Sequence, residues 1–148
     1  MRLHPYQEAG LEWLLSRPKA ALHWEMGLGK SVTAGTALDL LMGSGESRRA
    51  LIVGPIMVAD GVWPDEIQKW FPGMQYVRLH EMLNAAQRTR AYYKKTGQSM
   101  PRWAAHLRAD LARLPPVQIV NYENLRFLTQ LYKNVGWPYD LLILDEAD

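Results

Sequence analysis

The 148-residue chain contains no cysteine, so disulfides and thiolate-held metals are excluded. Its four histidines are scattered and show no ligand spacing. No apolar run approaches the roughly 20 residues that a bilayer-crossing helix needs. The opening stretch, Met1-Arg2-Leu3-His4-Pro5-Tyr6-Gln7, lacks the apolar core of a secretion signal. Internal repeats and low-complexity tracts are also absent. These absences predict an intracellular protein with no membrane partner. The composition that is left, 48% hydrophobic and 22% charged, suits one folded domain with a real core.

The net charge of +2 conceals an uneven distribution. Arg88, Arg90, Lys94, Lys95, Arg102, Arg108 and Arg113 are opposed only by Asp110 between residues 84 and 113, giving that segment +6 and the remainder −4. A basic block on a slightly acidic body fits a polyanion-binding footprint. It fits a solvated helical face equally well.

Hydrophobic patterning predicts alternating strands and helices. A short amphipathic helix over 6–16, opened by Pro5, leads to a buried strand over 19–23. A glycine-rich loop and a helix over 31–42 follow, the helix stopped by Gly43-Ser44-Gly45. Ala50-Leu51-Ile52-Val53 is too apolar to have an exposed face, as in a parallel sheet covered on both sides. Residues 58–70 read as helix with a break near Pro64, and 75–79 as a strand. Residues 81–113 read as mostly helical and polar, interrupted near Gly97 and Pro101, and resemble an insertion. A strand over 117–120, a helix over 123–134 and a strand over 139–144 complete the pattern. Such alternation predicts an α/β fold with a mostly parallel sheet and helices on both faces.

Two segments at expected strand ends carry chemistry. Glu25-Met26-Gly27-Leu28-Gly29-Lys30-Ser31 has the form of a phosphate-binding loop between a strand and a helix. Its glycines let backbone N–H groups turn towards an anion, and the helix dipole points at the same charge. Lys30 reaches the β- and γ-phosphates, and the Ser31 hydroxyl ligates Mg²⁺. Leu142-Ile143-Leu144-Asp145-Glu146-Ala147-Asp148 is an apolar strand running into acids. Jointly the segments point to a nucleoside triphosphate with magnesium. Asp145 then joins Ser31 at the metal, through a coordinated water, and Glu146 polarises the attacking water. Gly27, Leu28 and Gly29 supply backbone donors. The turns at Pro55 and Tyr122 end strands on the same side and are candidate contacts for a phosphodiester backbone. Trp63 and Tyr122 can equally be core residues, and Trp70 reads as one.

Leu3-x-Pro5-Tyr6-Gln7, the glycine loop, Ile52-Val53-Gly54-Pro55, Trp63-x-x-Glu66-Ile67-x-Lys69-Trp70, Ile119-Val120-Asn121-Tyr122-Glu123 and Leu144-Asp145-Glu146-Ala147-Asp148 occur in that order. Their succession resembles the N-terminal RecA-like lobe of the Swi/Snf-type, superfamily-two DNA-dependent ATPases, in particular their compact bacterial and phage members. The Trp63–Trp70 element discriminates best, because generic phosphate-loop proteins lack it. The resemblance implies ATP and Mg²⁺ as cofactors and duplex DNA as partner. It implies movement on DNA or remodelling without true strand separation. Gln7 becomes an adenine reader, and Pro55 and Tyr122 become DNA contacts. Residues 1–148 correspond to a first lobe with a basic helical insertion at about 81–113. That lobe would be incomplete after Asp148 and would need a second RecA-like lobe in cis or in trans. The alternative is a non-catalytic nucleic-acid or partner-binding module that keeps the fold. The chain departs from the pattern at Trp24, where aspartate is usual, and at Asp148, where histidine is usual. Ser31 replaces threonine and keeps the hydroxyl.

Overall fold

A computed structural model describes residues 30–145. The expected opening helix, the strand at 19–23 and the glycine loop lie outside the described residues. Within them the order is α1 (Lys30–Ser44), β1 (Ala50–Gly54), a π-helical turn (Val58–Val62), α2 (Trp63–Trp70), β2 (Tyr76–Arg78), α3 (His80–Lys95), α4 (Trp103–Arg113), β3 (Val117–Asn121), α5 (Tyr122–Leu131) and β4 (Leu141–Leu144). The strands form one sheet in the order β2-β3-β1-β4, and every pairing is parallel.

Side chains alternate across a strand, so each central strand feeds two cores. Ala50, Ile52, Val117 and Ile119 point to one face, where Ala34 and Leu38 of α1 and Trp63, Ile67 and Phe71 cover them. Leu51, Val53 and Val120 point to the other, beneath Leu83 of α3, Leu107 and Leu111 of α4, and Phe127, Leu128 and Leu131 of α5. This double coverage explains why β1 is apolar throughout, and all five of its residues are buried.

Three elements differ from expectation. The break expected near Pro64 is a change of helix type, because the π-helical turn gives way to α2 at Trp63. Pro64 falls in the first turn of α2, where its missing N–H costs nothing. The strand expected over 139–144 begins at Leu141, because Tyr139 and Asp140 are held by other contacts. The 81–113 segment is helical, interrupted near Gly97 and Pro101 as expected, and it also supplies core leucines.

The amino edge of the sheet is closed by Asp140. Its carboxylate accepts from the Ser47 hydroxyl at 2.6 Å, the Arg48 amide at 2.8 Å and the Arg49 amide at 3.2 Å. Partial burial works against the charged form, yet these donors outweigh it and hold the carboxyl below its ordinary value. A carboxyl with a lowered folded-state pKa stabilises the fold above its unfolded value, and loses that effect as pH falls through the folded one. Asp140→Asn should therefore lower the unfolding free energy by about 1–2 kcal/mol at neutral pH. The gap from wild type should narrow as thermal melts are repeated at lower pH.

Candidate functional site

The carboxyl edge of the sheet gathers the polar groups. Val53 of β1 lies between Val120 of β3 and Leu144 of β4, and Gly54 pairs with Asn121. Asp145 follows β4 directly, and its amide donates to the Val53 carbonyl at 2.7 Å, extending the ladder by one residue. Gly54 keeps this corner narrow. A Cβ there would lie 3.2 Å from Val58 Cγ1 and 3.7 Å from Asp145 Cβ.

Asp145 is buried, at 4% exposure. Its Oδ2 accepts a 2.8 Å hydrogen bond from the indole Nε1 of Trp63. Its carbonyl accepts from the Tyr122 hydroxyl at 3.1 Å. Three elements therefore converge on this one residue: β1 through Val53, α2 through Trp63 and α5 through Tyr122. The Trp63–Asp145 bond joins residues 82 positions apart, and nothing in the local sequence pattern pairs them.

A second polar group sits at the end of β3. Asn121 Nδ2 donates to Glu123 Oε2 at 2.7 Å, and Asn124 Nδ2 donates to Asn121 Oδ1 at 2.8 Å. Gln87 Nε2 of α3 donates to Asn124 Oδ1 at 2.7 Å, tying the helical hairpin to the strand end. The Glu123 carboxyl is held below its ordinary value, first by its own backbone amide and then by Asn121. Gln87 and Asn124 carry no motif signal; their role as a link between α3 and β3 comes from the fold alone.

The expected site residues distribute as follows. Lys30 opens α1, and Ser31 is its half-buried second residue. After α1 the chain passes Ser47 and Arg49, both tied to Asp140 at the amino edge, before entering β1. The C-terminus of α1 therefore lies towards the amino edge. At ~1.5 Å per residue α1 extends about 20 Å from that end to Lys30 and Ser31. Pro55 caps β1, and its carbonyl accepts from the amides of Val58 at 2.9 Å and Ala59 at 2.8 Å, which starts the π-helical turn. Tyr122 is joined to Asp145. Trp63 is a core residue as well as a hydrogen-bond donor, and Trp70 is half-buried. Gln7, Gly27, Leu28, Gly29 and Glu146 lie outside the described residues.

Among the described residues no group of three or more histidine, cysteine or acidic side chains is placed to hold a metal ion. A buried carboxylate at the carboxyl edge of the sheet suits Mg²⁺, which is held by one or two protein oxygens together with phosphates and water. It does not suit a metal caged wholly by protein.

Residues 6–148 match the SNF2-related domain. The chain belongs to the SNF2-related domain family. Protein p41 of Acyrthosiphon pisum secondary endosymbiont phage 1 is 30% identical over 97% of this chain and 27% of its own length. The DNA excision repair protein CSB of Oryza sativa subsp. japonica is 24% identical over 99% of this chain and 14% of its own. The chain thus spans about a quarter or less of these curated relatives. The SWI2/SNF2 ATPase core of Sulfolobus solfataricus, solved in complex with dsDNA, superposes with a TM-score of 0.67 at 19% identity, over 99% of this chain and 26% of that one. The parallel sheet, four-stranded among the described residues and covered by helices on both faces, is accordingly the RecA-like fold of the SNF2 ATPase core.

Proposed function

We propose that this chain is the ATP-binding lobe of a DNA-dependent motor ATPase, coupling nucleotide hydrolysis to movement on duplex DNA or to remodelling of protein–DNA complexes. The observation that carries the reading is the seating of Asp145: a buried carboxylate at the carboxyl edge of a parallel sheet, where ligands of such sheets gather. SNF2-related membership supports nucleotide use, and the duplex bound by the Sulfolobus core supports DNA as the partner.

On this reading Gly27, Leu28 and Gly29 turn backbone amides towards the triphosphate, and Gln7 reads the adenine. Lys30 holds positive charge beside the transferred phosphoryl group. Ser31 and Asp145 would hold the metal. Mg²⁺, when bound, would neutralise phosphate charge and polarise the phosphoryl group. Glu146 orients the attacking water. Pro55 and Tyr122 lie on the turns that face the DNA backbone. A second RecA-like lobe, in cis or in trans, completes the electrostatics around the leaving phosphate; an arginine supplied in this manner is worth about 10³–10⁵ in rate in related systems.

The chain alone should hydrolyse ATP weakly or not at all; together with its second lobe, duplex DNA should raise its ATP turnover, and Glu146→Gln should remove the DNA-stimulated part while leaving ATP binding within about threefold. No stimulation by DNA, or full turnover in Glu146→Gln, would count against a motor. A second reading, a binding module without catalysis, draws on the exposed bases Arg88, Arg90, Lys94, Lys95 and Arg102 of the α3–α4 hairpin. It predicts salt-sensitive DNA binding that survives Glu146→Gln with no measurable turnover in either protein.

A further inference from the structure

Trp63 stands where the π-helical turn meets α2, and its own amide donates to the Val58 carbonyl, closing that turn. Such a turn holds one residue more than an α-helical turn, so it rotates the helix that follows about its axis. Here the rotation directs Trp63 inward, where it is 1% exposed and its indole N–H meets Asp145 Oδ2.

The backbone of Asp145 is already fixed at two points, through Val53 and Tyr122. Those two contacts act on the backbone of Asp145. The indole N–H acts on the carboxylate itself, as a donor only that is buried in the core. Turning Oδ2 away would leave a buried donor without a partner, which is costly.

We infer that Trp63 is a positioning residue for metal-bound nucleotide: it sets the orientation of the Asp145 carboxylate and through it the preference for Mg·ATP over free ATP. This rests on the nucleotide reading given above. Outer partners of metal-binding carboxylates commonly govern affinity in this manner, with losses of about 10–100-fold when they are removed. Trp63 therefore has two separable roles. Its ring fills the core between α1, α2 and the sheet, and its N–H orients the acid. A phenylalanine keeps most of the first role and none of the second.

The test compares the full chain with Trp63→Phe, binding ATP with Mg²⁺ and ATP with chelator. Trp63→Phe should weaken Mg·ATP binding by about tenfold and change metal-free ATP binding by less than about twofold. The second measurement is independent of activity. Of the indole ¹⁵N–¹H signals from the six tryptophans, the one missing in Trp63→Phe should exchange slowly with D₂O and shift in Asp145→Asn. Equal losses with and without metal, or an indole signal indifferent to Asp145→Asn, overturn the inference. A wild-type chain that binds neither form of ATP overturns the functional reading as well; one that binds both, with the preference unchanged in Trp63→Phe, overturns this inference alone. Should Trp63→Phe fail to fold, the response of the slowly exchanging indole signal to Asp145→Asn decides.

Discussion

Replacing Gln118 with alanine is expected to lower the unfolding free energy by about 3–5 kcal/mol. Gln118, the second residue of β3, is fully buried. Its Nε2 donates to the Leu111 carbonyl at 3.0 Å and the Pro115 carbonyl at 3.2 Å, and its Oε1 accepts from the Tyr139 hydroxyl. Arg49 Nη2 also donates to Leu111 O, at 2.9 Å. One carboxamide thus joins the end of α4, the entrance to β3 and the segment before β4. Alanine would leave a cavity, a buried phenol without an acceptor and a carbonyl without its donor, and each of these costs separately. Urea titration of the variant measures the sum. Tyr139→Phe alone should cost about 1–2 kcal/mol, and the double variant less than the two singles added, because both break the same bond. A loss below about 1 kcal/mol for Gln118→Ala would show that the junction is not the lock described here.

The same junction has a pH signature. The Tyr139 hydroxyl is pushed well above its ordinary value, chiefly by burial and next by Tyr132, while Arg49 opposes both. A raised folded-state pKa means that the unfolded chain releases this proton first. The contribution is therefore complete below the ordinary tyrosine value of about 10 and declines as pH rises beyond it.

Lys30→Ala carries the largest expected effect on function. A fixed cation beside the transferred phosphoryl group stabilises charge that develops as the bond breaks, and removing one such donor costs about 10²–10³ in kcat. In the chain joined by its second lobe, DNA-stimulated ATP turnover should fall by at least that factor. The helical signal and the melting temperature should change little, because Lys30 opens α1 ahead of the core residues Ala34 and Leu38. Single-turnover kinetics with saturating Mg·ATP isolates the chemical step from binding. Turnover within about threefold of wild type would remove Lys30 from the proposed mechanism.

Much of the architecture was legible because the sheet is parallel and covered on both faces. Its strands must then be continuous apolar runs, and Ala50–Gly54 and Val117–Asn121 stand out as such between helical patterns. Boundaries were less legible where side chains compete with the backbone ladder. Tyr139 has the apolar character of a strand residue, but its hydroxyl is committed to Gln118 and the strand begins two residues later. The 81–113 stretch is rich in charge, which masks the spaced leucines Leu83, Leu107 and Leu111 that seat its helices on the core.

The order of its motifs by itself determined the family of this chain, since phosphate loops, acidic strand ends and the Trp63–Trp70 element depend on residue type at short range. Local backbone geometry follows from such spacing without reference to the rest of the molecule. Only the tertiary structure decided that Trp63 meets Asp145, that Tyr122 holds the Asp145 carbonyl and that Gln118 locks three segments together. Most of those contacts join residues more than twenty positions apart in the chain, and their partners are chosen by the stacking order β2-β3-β1-β4 and by the rotation the π-helical turn imposes on α2. A linear pattern does not encode which buried donor faces which buried acceptor, because that depends on how helices and sheet pack together.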